Sequence, residues 1–273
     1  MQKLNTSQLQ ARAKDSRKLI LKMLAEAGSG HPGGSLSAID IITTLYFNEM
    51  NHDPKNPLWI DRDHFVLGKG HGVPAVYASL AAAGYFSEEE CMSLRKLGSR
   101  LQGHPDRVKL NSMEASTGSL GQGLSIAQGY AMAARMDGRK SRVYCLIGDG
   151  EMQEGQIWEA ALSIGHYKLS NLVVILDQNR FQIDGAVKDI MDIDPVMDKW
   201  KAFKFNTLET DGHDVEQIQK ALATARKETS RPTFILAHTT KGKGVSFMEN
   251  VNHWHGVTPN PDELKRALAE LGA

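Results

Sequence analysis

The chain reads as an α/β protein, a mostly parallel sheet flanked by helices. Three observations point there. Short, almost wholly apolar runs at 142–147, 172–176 and 233–237 have the composition of strands buried on both faces, as parallel strands are. Stretches with helical spacing lie between them. The first two runs are each cut off by turn residues, Gly148-Asp149-Gly150 and Asp177-Gln178-Asn179. Strands alternating with helices make an α/β sheet, and 273 residues suffice for one such domain with a large core.

In chain order, 7–27 is an amphipathic helix with Leu9, Ala13, Ile20 and Leu24 on its apolar positions. Gly28-Ser29-Gly30-His31-Pro32-Gly33-Gly34 interrupts it, and Ser35 is placed to cap a second helix running to 50. A loop at 53–57 leads to a short strand at 65–67, closed by Gly68-Lys69-Gly70-His71-Gly72. Ser87 and Glu90 have capping-box spacing for a further helix. Residues 98–118 form a polar loop. A helix at 120–136 follows, with Gly138 just past its end. After the strand at 142–147 a helix starts near Gly155, and the strand at 172–176 comes next. Asp214 caps a helix through 226, a strand occupies 233–237, and a last helix spans 261–271. The segments after Leu67, Ile147 and Leu176 sit at the carboxyl ends of strands, where ligands bind in such sheets, so they converge on one site. The whole, 1–273, is one domain with a helical N-terminal extension.

Composition excludes several classes of function. Lys plus Arg equals Asp plus Glu at 32 each, so charge offers no attraction to nucleic acid or an anionic membrane. Two cysteines, Cys91 and Cys145, make no disulfide framework and suit a reducing compartment. The N-terminus lacks the apolar core of a signal peptide, and no run is long enough to span a bilayer. A cytoplasmic protein is expected.

The most specific chemical pattern is Asp149 between two glycines, with Asn179 one strand-helix-strand unit later. A lone Gly-Asp-Gly is an ordinary tight turn. Here, however, the two residues lie at the same sheet edge. One carboxylate, one amide oxygen and a main-chain carbonyl can hold Mg²⁺ or Ca²⁺, with diphosphate oxygens completing the shell. The ten histidines include no close metal-ligand spacing. His31, His71, His104 and His255 each sit beside glycine, where a ring can face a ligand across bare backbone. Lys69, in a Gly-rich loop, is expected to be solvated, and Lys241 is balanced between surface and ligand roles. His52, His64, His166, His213, His238 and His253 read as structural, and Cys145 as a small buried hydrophobe.

Gly148-Asp149-Gly150 followed by Asn179, Phe181-Gln182-Ile183-Asp184-Gly185 resembles the thiamine diphosphate motif of the transketolase family. So do, in the family's order, Ser29-Gly30-His31-Pro32-Gly33-Gly34, Lys69-Gly70-His71-Gly72 and Gly103-His104-Pro105. Ser116-Thr117-Gly118-Ser119-Leu120-Gly121-Gln122-Gly123 and Trp254-His255-Gly256 complete the set, which covers about 10–257. The resemblance implies a thiamine-diphosphate-binding fold and assigns Asp149, Asn179 and the Phe181 carbonyl to the metal. It implies cofactor contacts from His71, Gly118, Leu120, Gly150, Asn179, Ile183, Lys241 and His255, with Leu120 and Ile183 packing on the thiazolium. His31, His71, His104 and His255 would meet substrate hydroxyls or phosphate, and Glu154 would join a hydrogen-bonded link between two cofactor sites at a subunit interface.

The family's single chain also carries a pyrimidine-binding and a C-terminal domain, and nothing here resembles either. The glutamate that activates the aminopyrimidine belongs to the missing part. The resemblance therefore implies the N-terminal subunit of a split transketolase. A second polypeptide, the C-terminal subunit, would complete it in a two-plus-two heterotetramer. The pair would transfer a two-carbon ketol unit from a ketose phosphate to an aldose phosphate. The last helix, closing at Leu271-Gly272-Ala273, is what a complete subunit would show, with an engineered fragment as the other reading. Rival readings are another thiamine diphosphate enzyme (deoxyxylulose-phosphate synthase-like or 2-oxo-acid dehydrogenase-like), a transketolase acting on a sulfonated or deoxy sugar, and a non-catalytic cofactor-binding subunit.

Overall fold

A computed structural model describes residues 3–272; Met1, Gln2 and Ala273 lie outside it. Helix α1 (Thr6–Ala27) starts from a capping box in which Asn5 and Gln8 each accept the other's backbone N–H, and stops at Gly28 with φ 63°. Helix α2 (Pro32–Thr44) begins three residues before the expected cap at Ser35. Proline at its first position needs no N–H partner, and Ser35 Oγ instead donates to the His31 carbonyl at 2.7 Å. The helix runs into one π-helical turn, Leu45–Glu49.

Strand β1 (His64–Leu67) is followed by α3 (Val73–Ala82), a nearly uniformly apolar segment that offers sequence reading no periodicity. Ser87 makes no side-chain cap; the segment after it is a short 3₁₀ helix, Glu88–Ser93. Then come α4 (Gln122–Met136), β2 (Val143–Gly148), α5 (Gly155–His166) and β3 (Leu172–Gln178). A small hairpin of β4 (Phe181–Gln182) and β5 (Gly185–Ala186) leads to α6 (Val187–Ile190), α7 (Val196–Ala202) and β6 (Asn206–Asp211). Strand β6 escapes sequence reading because it is a half-exposed edge with polar composition. Helix α8 (Val215–Lys227), capped by Asp214 as expected, strand β7 (Thr233–His238) and α9 (Pro261–Glu270) complete the chain.

The five-stranded sheet is wholly parallel, in the order β1-β2-β3-β7-β6. Alternate side chains feed two cores. Phe65, Leu67, Tyr144, Leu146, Val173, Ile175, Ile235 and Ala237 pack with residues of α1, α2, α3 and α8. Val66, Val143, Cys145, Ile147, Leu172, Val174, Leu176, Phe234 and Leu236 pack with α4, α5 and α7. Burial on both faces is why the strands are continuously apolar, and each buried aliphatic side chain contributes about 1.5–3 kcal/mol. The N-terminal helices are thus part of one layer: every residue of α2 is buried between α1 and its neighbours. Cys91 and Cys145 are free and buried. Among the described residues no helix is long and apolar enough to cross a membrane.

Register decides where the site forms. Gly148 pairs with Asp177 and Gln178 with His238, so β2, β3 and β7 end level. From β3 the chain leaves for the edge strand β6 and returns through α8 to β7. The direction of winding therefore reverses between β3 and β7, and a crevice opens at such a point.

Candidate active site

The floor of the crevice is a buried ion pair. Lys69, from the loop after β1, donates its Nζ to the Gly34 carbonyl at 2.9 Å and to Asp177 Oδ2. Asp177 also accepts from Ser37 Oγ at 2.6 Å and from Thr239 Oγ1. Lys69 is 1% exposed, not solvated as its glycine-rich context suggests, and Asp177 is 0% exposed. Gly34 permits the approach: a Cβ there would lie 3.2 Å from the Lys69 ammonium and 3.3 Å from His71 Nε2.

Asp149 stands at one end, on the turn after β2. Its Oδ1 accepts from Gly150 N at 3.0 Å and its Oδ2 from Arg180 N. Burial, with Asp177 close by, pushes its carboxyl up to about 7. Among the described residues no lysine or arginine lies within ion-pair distance of Asp149. Beside it, Asn179 donates Nδ2 to Ser37 Oγ at 3.2 Å and accepts on Oδ1 from Phe181 N at 3.1 Å. A buried carboxylate without a cation, next to an amide oxygen, is a donor set that suits a hard divalent ion.

Lys241 comes from the loop after β7. It is 1% exposed, and its Nζ meets only neutral groups, Asn252 Oδ1 at 3.0 Å and His255 Nδ1 at 3.1 Å. Burial, then the charge of Lys69, lowers its ammonium to about 8. A buried cation with no carboxylate fits an anionic ligand. The Lys241 bond also uses the His255 Nδ1 lone pair, so His255 carries its proton on Nε2. The loop holding Lys241 is tied to α2 by Gly242 N donating to the Gly33 carbonyl at 3.0 Å.

The four expected histidines come together around His31, whose ring centroid is 5.3 Å from His71, 6.0 Å from His104 and 5.5 Å from His255. Burial is the main cause of lowered pKa values in all four. It brings His31 to about 4, with Arg95 adding to the effect, and His255 to about 3, with Lys241 adding. His71 and His104 shift the same way. All four rings are therefore neutral at pH 7, each with one donor and one acceptor. His31 Nδ1 is buried without a partner, an orphan polar atom. Among the described residues no three His, Cys, Asp or Glu side chains are grouped to hold a metal.

A cleft of about 210 Å³ takes in His71, Leu120, Asp149, Gly150, Glu154, Asn179, Phe181, Ile183, Lys241 and His255. Ile183 is 69% exposed and Glu154 is also exposed, both on the wall of this cleft. Gly118 does not line it. It lies against His104 instead, where a Cβ would come within 2.9 Å of the ring. A larger cavity, about 630 Å³, shares Asp149 and Phe181 but contains none of the four clustered histidines and neither buried lysine. The smaller cleft, where the titratable groups converge, is the site.

Sequence reading missed Ser37, Lys69, Asp177 and Glu151. Glu151 is buried, is pushed up to about 7 by burial, and accepts from Gly121 N at 3.0 Å and Gly148 N at 3.1 Å, pinning the loop of Leu120 to the end of β2. Nothing local marks a glutamate in a first turn as buried. Of the histidines set aside as structural, His213 is held by Asp40 at 2.7 Å and His52 by the Tyr46 carbonyl at 2.7 Å, and His64 lies 3.0 Å from Glu114.

Residues 9–273 match the family described as transketolase, thiamine diphosphate binding domain. The chain belongs to the transketolase family. It is 43% identical over 263 residues to the 6-deoxy-6-sulfo-D-fructose transketolase subunit of Clostridium sp. (strain MSTE9), covering 96% of both chains. It is 40% identical to an apulose-4-phosphate transketolase subunit of Phocaeicola vulgatus, covering 96% of this chain and 93% of that one. The crystal structure of transketolase from Campylobacter jejuni superposes with a TM-score of 0.94 at 37% identity, covering 98% of this chain and 43% of that one. The chain thus spans nearly the whole of the subunit relatives and less than half of the transketolase of known structure. The parallel sheet flanked by helices is the family's thiamine-diphosphate-binding domain, and the chain is of the transferase class.

Proposed function

We propose that this transketolase chain binds thiamine diphosphate through a divalent cation, Mg²⁺ or Ca²⁺. With a partner chain carrying the pyrimidine-binding domain, it transfers a two-carbon ketol unit from a ketose phosphate to an aldose phosphate. One observation carries the reading. Asp149, a buried carboxylate with no cation, and Lys241, a buried ammonium with no carboxylate, line one cleft. A metal–diphosphate pair satisfies both at once.

Asp149, Asn179 and the Phe181 carbonyl would hold the cation, and Lys241 the diphosphate. Leu120 and Ile183 form apolar surface suited to an aromatic ring. When bound, thiamine diphosphate supplies the carbon acid that adds to a carbonyl and supports C–C cleavage. The protein's part is to hold and move protons at hydroxyls. Neutral His31, His71 and His104 each offer one donor and one acceptor for this, and His255 presents Nε2–H. Glu154, exposed in the cleft wall, is available to a partner carboxyl or amide.

The aminopyrimidine-activating glutamate and the sugar-phosphate clamp are assigned to the partner, in a two-plus-two heterotetramer with closed symmetry. Two free, buried thiols accord with the cytoplasm. A sulfonated or unusual sugar is the second reading, favoured by the substrates named for the two subunit relatives. The test is native mass spectrometry of the protein purified gently from its source cells. A second chain of about 30–35 kDa, the size of two ordinary domains, together with thiamine diphosphate and a divalent metal, is expected. A homo-oligomer without cofactor overturns the proposal. Product analysis with ketose phosphate and 6-deoxy-6-sulfofructose donors then separates the two sugar readings, and tight cofactor binding with no turnover would mark a non-catalytic subunit.

A further inference from the structure

We propose that Ser37 is a positioning residue that sets which way round the Asn179 amide faces, and so presents its oxygen to the metal. The inference rests on the reading of Asp149, Asn179 and Phe181 as a cation site. It goes beyond that reading to a residue on a different element, the buried helix α2.

The argument is one of proton counting. A serine hydroxyl has one proton to give. The acceptors within reach of Ser37 Oγ are Asp177 Oδ2 at 2.6 Å and the Gly34 carbonyl at 3.2 Å. The shorter bond, to a carboxylate ion-paired with Lys69, is the stronger one. With its proton committed there, Ser37 offers only lone pairs to its other neighbour, Asn179, 3.2 Å away. An amide can meet a lone pair only with its NH₂. Turned over, Asn179 would set two oxygens against each other in a buried space. The amide oxygen is therefore forced the other way, where it accepts from Phe181 N at 3.1 Å.

The same count removes Asp177 from the ligand set, although it stands two residues before Asn179. Lys69 and Ser37 occupy its Oδ2, and Thr239 donates to its Oδ1. Lys69, Asp177 and Ser37 thus form a chain of charge and hydrogen bonds whose last link is the orientation of a neutral metal ligand. Outer partners of this kind govern metal affinity by fixing the ligand that touches the ion.

The test titrates thiamine diphosphate against rising Mg²⁺ by calorimetry, on the full chain with its partner subunit. Wild type, Ser37→Ala, Asn179→Asp and the double variant are compared, and each is also melted in EDTA. Ser37→Ala is expected to raise the Mg²⁺ concentration needed for binding about tenfold or more, and to lower the melting temperature in EDTA by a few degrees through loss of the bond to Asp177, equally in both backgrounds. In the Asn179→Asp background the same substitution should have no further effect on the Mg²⁺ requirement, because either carboxylate oxygen serves. An unchanged Mg²⁺ requirement in Ser37→Ala overturns the proposal. So does an equal rise in that requirement in both backgrounds, which would mean that Ser37 acts through packing. Wild type binding without any metal dependence would instead overturn the cation-site reading.

Discussion

Lys69→Met keeps most of a buried stem and removes its charge. In the native protein the ammonium is 1% exposed and its partner, Asp177, is 0% exposed. After the substitution Asp177 keeps only the hydroxyls of Ser37 and Thr239 as side-chain donors, and the Gly34 carbonyl loses the Lys69 donor. Breaking a buried pair by removing one partner costs about 3–5 kcal/mol, because the other charge stays behind without compensation. Against a total stability of about 5–15 kcal/mol this is a large share. At about 2 °C per kcal/mol for a domain of this size, the melting temperature should fall by about 6–10 °C. The assay is thermal and urea unfolding followed by circular dichroism. Adding Asp177→Asn should recover most of the loss, since neither member of the pair then carries a charge. A Lys69→Met protein that melts with the wild type would refute the reasoning. So would a deficit unrelieved by the second change.

The remaining predictions concern ligand binding, turnover and pH. Asp149→Ala should abolish metal-dependent binding of thiamine diphosphate in a calorimetric titration, and unchanged binding would remove Asp149 from the metal. His104→Ala should lower kcat about a hundredfold or more, the range for a proton-transfer group, while cofactor affinity stays within about twofold; equal losses in both would sink that role. His31 and His255 titrate at about 4 and about 3 in the fold, below the ordinary 6.5. The unfolded chain therefore binds protons that the folded one refuses, and stability should fall as pH drops from about 6.5 towards about 4. Asp149 and Glu151, raised to about 7, oppose this by taking protons in the fold. Bound Mg²⁺ would keep Asp149 ionised, so the acid loss should be steeper with Mg²⁺ and thiamine diphosphate than in EDTA. Melting curves across that pH range, in both conditions, check the ordering.

The amino-acid sequence by itself determined the class of the fold, the central strands and the placing of Asp149 and Asn179 at neighbouring strand ends. The reason is that these features are local. A strand buried on both faces must be apolar throughout, and a turn that brings backbone close to a ligand needs glycine. Asp149 and Asn179 were legible from their places at strand ends, and the four histidines from their glycine neighbours and the order of motifs. Elements that broke the local rules were not legible. Strand β6 is a polar edge, α3 is too evenly apolar to show a period, and proline at position 32 opened α2 before the serine that looked like its cap.

Only the tertiary structure decided which charged residues are inside. Lys69 looks like a surface lysine until β1 and β3 are laid with β2 between them, and Asp177 like a turn residue until Lys69, Ser37 and Thr239 close on it. Four rings drawn from the start of α2, a 3₁₀ turn at Gly70–Gly72, the loop of His104 and a late 3₁₀ turn at Asn252–His255 became one neutral cluster. Burial by distant segments lowers their proton affinity, and no short window of sequence records how deep a side chain will lie.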